Sequence, residues 1–446
     1  MKSKMLRSLV KAALVSSVAA VPTIGYAAGF SLTEQSVAGL GRSFAGGAAW
    51  ANDPSTIYYN PAGLMRLKDQ EVQNGVSLIS LGADFDKTLA VDPIGGNLSG
   101  GEGGDVGKLG GVPTLYYVRP YSDKVAFGVG VGAPFGLATD YERDSIFRYQ
   151  ATYSNVAIIN IQPTVAYRIN DNISVGFGVD VQYMRVKLQN EIDFGSICFG
   201  FIGPVPCTGM SLIPQGADGG ATVEGDSIGY GWNAGVLVEN GGTRLGIAYR
   251  SKVSHDLEGS ADFERVPVVF TGLGLFTDSA ISASFDTPEL LSIGLVQELN
   301  DAWTVSLDIT RTGWDTFREL RIVYANPNQP DTVQPENWKD VYKASVGVDW
   351  KFNDAWTFRA GYGYDNTPIE DADRTARLPD GDRTWISVGA TWRWSDTLEF
   401  NAGYAHLDLA AGDTINFDQF GPAQDHITGT YTADAEIVGL EVRLKL

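Results

Sequence analysis

The sequence predicts an all-β protein: a transmembrane antiparallel β-barrel of 14 strands, its lumen plugged by an N-terminal hatch. Three observations predict it. From Glu71 onward the chain divides into fourteen strand-like segments, and the connections between them alternate without exception between short and long. Within the segments, apolar and polar residues alternate with period two. Beyond the N-terminus no stretch approaches the roughly 18 to 20 apolar residues a membrane helix needs. Yet the chain holds 53 Gly and an aromatic share of 11%. A mean hydropathy of −0.07 suits a wall that shows lipid only every second side chain.

The first element is a leader. Lys2, Lys4, Arg7 and Lys11 come without an acid, followed by an apolar run from Ala12 to Ala20 and small residues ending Gly25, Tyr26, Ala27. That is the layout of a secretory signal peptide, residues 1–27, with small side chains where a signal peptidase reads. Its removal leaves 29 basic residues against 53 acidic ones, a net charge of −24. Such a charge excludes a nucleic-acid partner as a working hypothesis.

Residues 28–70 break the strand pattern. They are rich in Gly, Ala and Ser, with a helical stretch predicted around Leu32 to Phe44, then Asn52, Asp53, Pro54 and later Asn60, Pro61, Ala62. A segment too polar for lipid, lying ahead of the first strand, either hangs free or enters the barrel. Fourteen strands enclose a lumen too wide for their own side chains to fill, so a plug is the expectation.

Residues 71–446 form the predicted barrel. The short connections, 121–124, 170–172, 239–242, 300–302, 353–355 and 395–397, are clusters rich in Asn, Asp, Gly and Ser, the chemistry of tight hairpins. The long ones lie near 86–108, 134–151, 193–224, 257–282, 325–338, 366–381 and 411–428. Short turns then face the periplasm and long loops the exterior. One strand puts Ile173, Val175, Phe177, Val179, Val181 and Tyr183 on one face against Ser174, Gly176, Gly178, Asp180 and Gln182. The last strand repeats this, with Val438, Leu440, Val442, Leu444 and Leu446 opposite Gly439, Glu441, Arg443 and Lys445. Trp303, Trp356, Trp392 and Trp394 lie beside short turns, as an interfacial girdle requires.

Two external loops are more apolar than water-facing loops should be. One holds Phe194, Ile197, Phe199, Phe201, Ile202, Val205, Met210, Leu212 and Ile213; the other holds Val266, Val268, Val269, Phe270, Leu273, Leu275 and Phe276. Exposed apolar surface on this scale marks a binding site. Packed together, the loops make a greasy groove outside the membrane or a lid that buries itself. Cys198 and Cys207 share the first loop, and in an exported chain they read as a local disulfide, free thiols being the other reading. In the third strand Gly128, Gly130 and Gly132 form one row and Pro134 follows. Proline cannot donate to a ladder, so the strand is kinked or gapped where the plug touches it, unless the glycines simply give the plug room.

An enzyme reading finds little support. His255, His406 and His426 are scattered, and there is no nucleophile elbow, zinc-spaced pair or phosphate loop. No cofactor and no metal are expected. The acidic run Glu370, Asp371, Asp373, Asp380 and Asp382 lacks ligand spacing for Ca²⁺ and reads as a solvated loop.

The ordered set of local motifs resembles the FadL-type long-chain fatty acid transporters of Gram-negative outer membranes, a family that also includes aromatic-hydrocarbon importers. The similarity is carried by Ala28, Gly29, Phe30; by Gly39, Leu40, Gly41, Arg42; and by Asn60, Pro61, Ala62. Farther on it is carried by Gly231 to Gly235 with Tyr249, Arg250, Ser251, by Trp356 to Gly361, and by Leu378, Pro379, Asp380 with Asp382, Arg383 and Trp385. The resemblance implies a hatch containing Arg42, Asn60, Pro61 and Ala62. It implies ligand capture on Phe199, Phe201, Ile202, Val268, Phe270, Leu273 and Phe276, an internal pocket beneath, and sideways exit at the third strand. Lys339 resembles a family pocket residue, and its parity with Lys343, Ser345 and Asp349 would put it on the lumen side; a surface lysine at a strand end is the other reading.

Two departures count. Asn190 stands where a second basic pocket residue would be sought, which leaves room for a neutral hydrocarbon, and the chain ends in Leu446 rather than an aromatic residue. The combined expectation is a monomer among outer-membrane lipid and lipopolysaccharide, importing a hydrophobic small molecule by passive diffusion. Fatty acids come first and neutral hydrocarbons second. A general porin, a barrel hydrolase and an adhesin are the alternatives of other classes.

Overall fold

The computed structural model describes residues 29–446 apart from 105, 106, 108, 411, 412 and 418–424; the predicted signal peptide lies outside the described residues. Fourteen strands cross in antiparallel order. They are β1 Glu71–Val91, β2 Leu109–Ser122, β3 Val125–Asp140, β4 Tyr153–Asn170, β5 Ile173–Asp193 and β6 Asp218–Asn240. Four broken strands follow: β7 Thr243–Arg250 with Val253–Glu264, β8 Ser279–Thr287 with Leu290–Glu298, β9 Trp303–Thr312 with Glu319–Tyr324, and β10 Thr332–Pro335 with Val341–Lys351. The last are β11 Trp356–Asp365, β12 Arg383–Ser395, β13 Leu398–Leu409 and β14 His426–Lys445. β1 pairs with both β2 and β14, from Glu71 opposite Lys445 to Val91 opposite His426, so the wall closes. Among the described residues no helix is long and apolar enough to cross a membrane.

The alternation has its physical reason in this closure. Phe177, Val179, Ile247, Leu295, Leu307, Val388 and Leu440 are exposed on the outer face, while Asp180, Gln182, Ser306, Ser387 and Glu441 are buried within. At the level of the short turns, Trp303 stacks on Trp350 at 5.5 Å and Trp356 on Trp392 at 5.8 Å, each pair directly cross-strand. The six short turns fall where the sequence puts them. Several strands run farther outward than predicted: β3 continues to Asp140 and β7 to Glu264, because the chain keeps pairing after its apolar alternation ends.

The N-terminal segment lies inside the barrel. Side chains or backbone from Gln35 to Ala62 approach lumen-facing glycines on ten strands, among them Gly128 on β3, Gly176 on β5, Gly235 on β6, Gly246 on β7, Gly347 on β10, Gly389 on β12 and Gly439 on β14. One short segment reaches ten strands only from within. Many of these glycines pair across strands, as Gly176 with Gly235, Gly246 with Gly294 and Gly347 with Gly361, so a belt of missing side chains makes the room. The predicted helix over Leu32 to Phe44 is not formed. Only α1, Val37–Leu40, is helical there, with Ser36 Oγ accepting from Gly39 N at 3.0 Å. Two further single turns follow, α2 Gly47–Trp50 and α3 Thr56–Tyr59, and then a 3₁₀ turn, Pro61–Arg66. The segment is stapled at its polar residues. Arg42 lies over the Trp50 ring at 3.7 Å, donates to Ala38 O and Ala45 O at 3.2 Å each, and stands 3.7 Å from Asp349. Asn60 caps the Pro61–Arg66 turn through Ala62 N at 3.0 Å and donates to Ala48 O at 2.6 Å and to β6 at Val236 O, 3.1 Å. Pro61 and Ala62, both buried, press on Gly176.

Candidate functional site

The outermost part of the site is the join between the two apolar loops. In the first, Asp193 caps helix α4, Phe194–Phe201, by accepting from Ser196 N at 2.9 Å, and α5, Pro204–Gly209, folds back on it. Cys198 and Cys207 are bonded to each other, with Cα atoms 5.9 Å apart, and both are buried. The second loop contributes α6, Val268–Gly272. Phe194 meets Phe270 at 5.1 Å and Phe276 at 5.0 Å, and Phe199, half-buried, packs against the same cluster. The predicted residues therefore divide. Phe270 is buried at the join, Phe199 and Phe276 flank it, and Phe201, Ile202, Val268 and Leu273 stand exposed, Phe201 at 81% and Val268 at 83%. The loops bury each other and still leave an apolar rim.

Beneath this join is a cavity of about 410 Å³, lined by Asn190 and Ile192 at the end of β5, Ile197 of α4, Val333 of β10, and Arg377 and Asp425 from later loops. Asn190 thus faces the cavity. Deeper still, six aromatic side chains fill the outer lumen: Phe30, Phe135, Phe285, Trp314, Phe317 and Trp338. Phe30 is 4.9 Å from Trp314 and 5.4 Å from Phe285, Trp314 is 4.8 Å from Trp338, and Phe317 is 4.9 Å from Trp338. The residue before Phe30 must be glycine: Gly29 has φ +67°, and a Cβ there would lie 2.6 Å from Trp338. Gly29 N donates to Asp380 Oδ2 at 2.9 Å.

Lys339 is a correction to the sequence reading. It lies before the second stretch of β10 begins at Val341, is half-exposed, and stands 3.7 Å from Glu370. A lumen cation inside that strand is Lys343, whose Nζ is 3.8 Å from the Trp385 ring centre and 4.9 Å from that of Phe44, and donates to Thr33 Oγ1 at 3.2 Å. Parity holds only inside a paired strand, and Lys339 is outside one. The aromatic chamber was also missed, because Trp314 and Trp338 sit in strand breaks where alternation is silent; tryptophans in otherwise polar breaks were the available signal.

The acidic run is engaged in structure: Asp371 pairs with Arg374 at 2.6 Å, and Asp382 accepts from Tyr364 Oη at 2.6 Å and Thr367 N at 2.8 Å. His255 hydrogen-bonds Gln182 within the lumen at 3.1 Å, and His406 pairs with Glu436 at 2.9 Å on the outer face.

The wall is not uniform at β3. Its pairing with β2 runs from Ser122 opposite Val125 to Leu115 opposite Val131 and then stops, while Leu109 to Thr114 pair with β1 alone. On the other side β3 stays with β4, skipping register between Gly132 and Phe135, where Pro134 sits. The freed edge of β3 is taken up inside the barrel: Leu32 N donates to Pro134 O at 2.8 Å, Gly136 N to Phe30 O at 2.9 Å, and Gln35 Nε2 to Ala133 O at 2.8 Å. The glycine row faces the segment, with Gly128 and Gly130 against Ile57 and Gly132 against Gln35. A void of about 10 Å³ between Gln35, Tyr58, Tyr116, Gly132 and Pro134 lies at this seam.

Comparison with known proteins bears on this geometry. The family model described as outer membrane protein transport protein (OMPP1/FadL/TodX) matches residues 18–446. The chain is 29% identical to the long-chain fatty acid transport protein of Escherichia coli O157:H7 over 399 residues, 84% of this chain and 87% of that protein. A Pseudomonas aeruginosa FadL homologue has a similar crystal structure, with TM-score 0.87, 24% identity, and coverage of 94% of this chain and 100% of that one. The toluene transporter TbuX of Ralstonia pickettii has the same fold at TM-score 0.62 and 20% identity, covering 91% of this chain and 98% of its own.

Proposed function

The chain belongs to the OMPP1/FadL/TodX family of outer-membrane transport proteins, and from that premise we propose that it imports long-chain fatty acids across the outer membrane by passive diffusion. The coarser statement, transport of a hydrophobic compound by a barrel that is not an enzyme, needs nothing beyond the family. The observation that carries sideways passage of a hydrophobic ligand is the wall at β3, which leaves β2 after Val131 and turns inward onto a segment that fills the lumen. A filled lumen opposes a water-filled pore, whereas a wall seam beside apolar side chains suits a ligand that leaves into lipid.

In this reading the acyl chain is captured on the rim of Phe201, Ile202, Val268 and Leu273, with Phe199, Phe270 and Phe276 holding the two loops together. It passes the cavity at Ile197, displaces rings of the aromatic chamber, and exits beside Gly128, Gly130, Gly132 and Pro134. Arg42, Asn60, Pro61 and Ala62 hold the hatch while that happens. Ten methylenes moved from water into apolar surroundings contribute about 8 kcal/mol before entropic costs. A barrel closed within one chain needs no second chain to complete the path, which supports a monomer among outer-membrane lipid and lipopolysaccharide.

The second reading, a neutral hydrocarbon, is favoured by one observation: Lys343 lies against the Phe44 and Trp385 rings, so a ligand must draw it out to use it. Uptake of radiolabelled oleate, with toluene in parallel, by cells lacking their own importer separates the two. Oleate uptake that falls in Lys343→Ala, with toluene unchanged, is the expected result. Toluene uptake alone would move the assignment to hydrocarbon import, and uptake of neither would restore the porin and adhesin alternatives.

A further inference from the structure

On the lipid-facing wall, near the short turns, a groove of about 410 Å³ runs across β12, β13, β14 and β1. Strand register explains its shape. Ala390 on β12 faces Ala402 on β13; two residues toward the short turns Trp392 faces Phe400, their rings 5.9 Å apart, and two residues outward Val388 faces Tyr404. Phe358 on β11 flanks Ala390, and Leu440 on β14 flanks Ala402. These six large side chains are exposed on the outer face. The alanine pair is therefore the floor of a notch with aromatic and aliphatic walls on every side. At its far end the groove reaches Asn74 and Val76 on β1, opposite Val442 and Leu440.

The chemistry of the lining is that of a chain site. Among the described residues the one charged group in it is Glu441, whose carboxylate turns to the lumen, accepting from Asn401 Nδ2 at 2.9 Å and Val37 N at 3.1 Å. Asn74 is engaged with the backbone, donating to Thr114 O at 3.2 Å. Depth follows from the girdle, where Trp356 and Trp392 stack at 5.8 Å beside the short turns. Two residues along strands tilted about 40° set the alanine floor roughly 5 Å farther into the membrane, in the acyl region just inside the periplasmic headgroups. Within a bilayer no water is displaced, so what a groove offers is dispersion contact on three sides instead of one. A flexible chain fits along such a floor, whereas a second barrel would touch this convex wall only along a line. The groove also crosses the junction of β14 with β1, where the wall closes. One chain lying in it touches both ends of the sheet.

We infer that this groove holds one acyl chain of a periplasmic-leaflet phospholipid, as a fixed lipid packed over the closing junction of the barrel. The site is separate from the proposed ligand path. It opens to the membrane rather than the lumen, and it lies on the side of β1 away from β2 and the β3 seam. Which compound the protein imports does not bear on it.

The test is native mass spectrometry of the full chain, carried through exhaustive detergent exchange and then given equimolar phosphatidylethanolamine. Wild type is compared with the groove-filling double variant Ala390→Leu/Ala402→Leu and with Ala360→Leu, which adds the same bulk to the same wall outside the groove. Heat-resistant gel mobility checks assembly, and the milder Ala402→Val replaces the double variant if that fails to close. Wild type and Ala360→Leu should each carry a single phospholipid per barrel, and the filled variant about tenfold less. Equal phospholipid on wild type and filled variant, or none on wild type, would overturn the inference. A wild-type dimer that filling the groove dissociates would overturn it in favour of a second copy. Oleate displacing the phospholipid at equal concentration would overturn it in favour of the imported ligand.

Discussion

Phe270 and Phe201 are both phenylalanines of the apolar loops, and the structure gives them opposite work. Phe270 is 2% exposed and touches Phe194 and Phe276; Phe201 is 81% exposed. Truncating a buried phenylalanine costs about 3 to 5 kcal/mol, and a buried charge costs more. Phe270→Asp should therefore part the loops, making both protease-sensitive on intact cells, and oleate uptake should fall as a consequence. Phe201→Asp should leave protease resistance unchanged and still lower uptake, since it removes only capture surface. Unchanged uptake in Phe201→Asp would show that the rim does not capture ligand. Sequence made these residues visible as a group, because apolar runs in an external loop are conspicuous. It did not separate joint from rim, a distinction that depends on which ring meets which across two loops. Lys339 and Lys343 teach the related point that parity extrapolated past a strand's last hydrogen bond carries no orientation.

At the scale of elements, the N-terminal segment and the glycine belt define each other. Residues 28–70 stood out in the sequence by failing to alternate, and the place of Gln35 to Ala62 inside the barrel follows from the width of a fourteen-stranded lumen. Their internal form was not legible: a helical stretch was expected where the chain makes single turns, with Ser43, Phe44 and Ala51 at positive φ. Packing against ten strands decided that backbone, overriding local propensity. The glycines were countable but not assignable, since each looks like any other lumen-face glycine until its partner is known. Gly361 carries a direct consequence, because a side chain there collides with the backbone of Arg42. Gly361→Val should push the segment from its seat while the strands still close, and planar-bilayer recordings should then show steady ion conductance that the wild type lacks. A variant as closed as the wild type would mean that the segment is not what seals the lumen.

For the whole molecule, strand number, turn alternation and closure were all readable, because a barrel repeats one physical rule along its length: lipid outside, polar lumen inside, tight turns on one side. The proposed route was only partly readable. Gly128, Gly130, Gly132 and Pro134 marked a weak place in the wall, but the inward pairing of β3 with Phe30 and Leu32 joins residues about a hundred positions apart, and no local pattern announces it. The aromatic chamber is likewise assembled from the N-terminal segment, β3, β8 and two strand breaks.

The central claim is that ligand leaves sideways at this seam, and the most direct test is to straighten it. Between Gly132 opposite Asn160 and Phe135 opposite Ile158, β3 has two residues where β4 has one. Deleting Pro134 restores one-to-one register and lets β3 stay with β2. The account predicts a variant that assembles, shows wild-type gel mobility and binds oleate at its outer loops, yet no longer delivers it to the cell. Wild-type uptake by that variant would contradict lateral exit at β3.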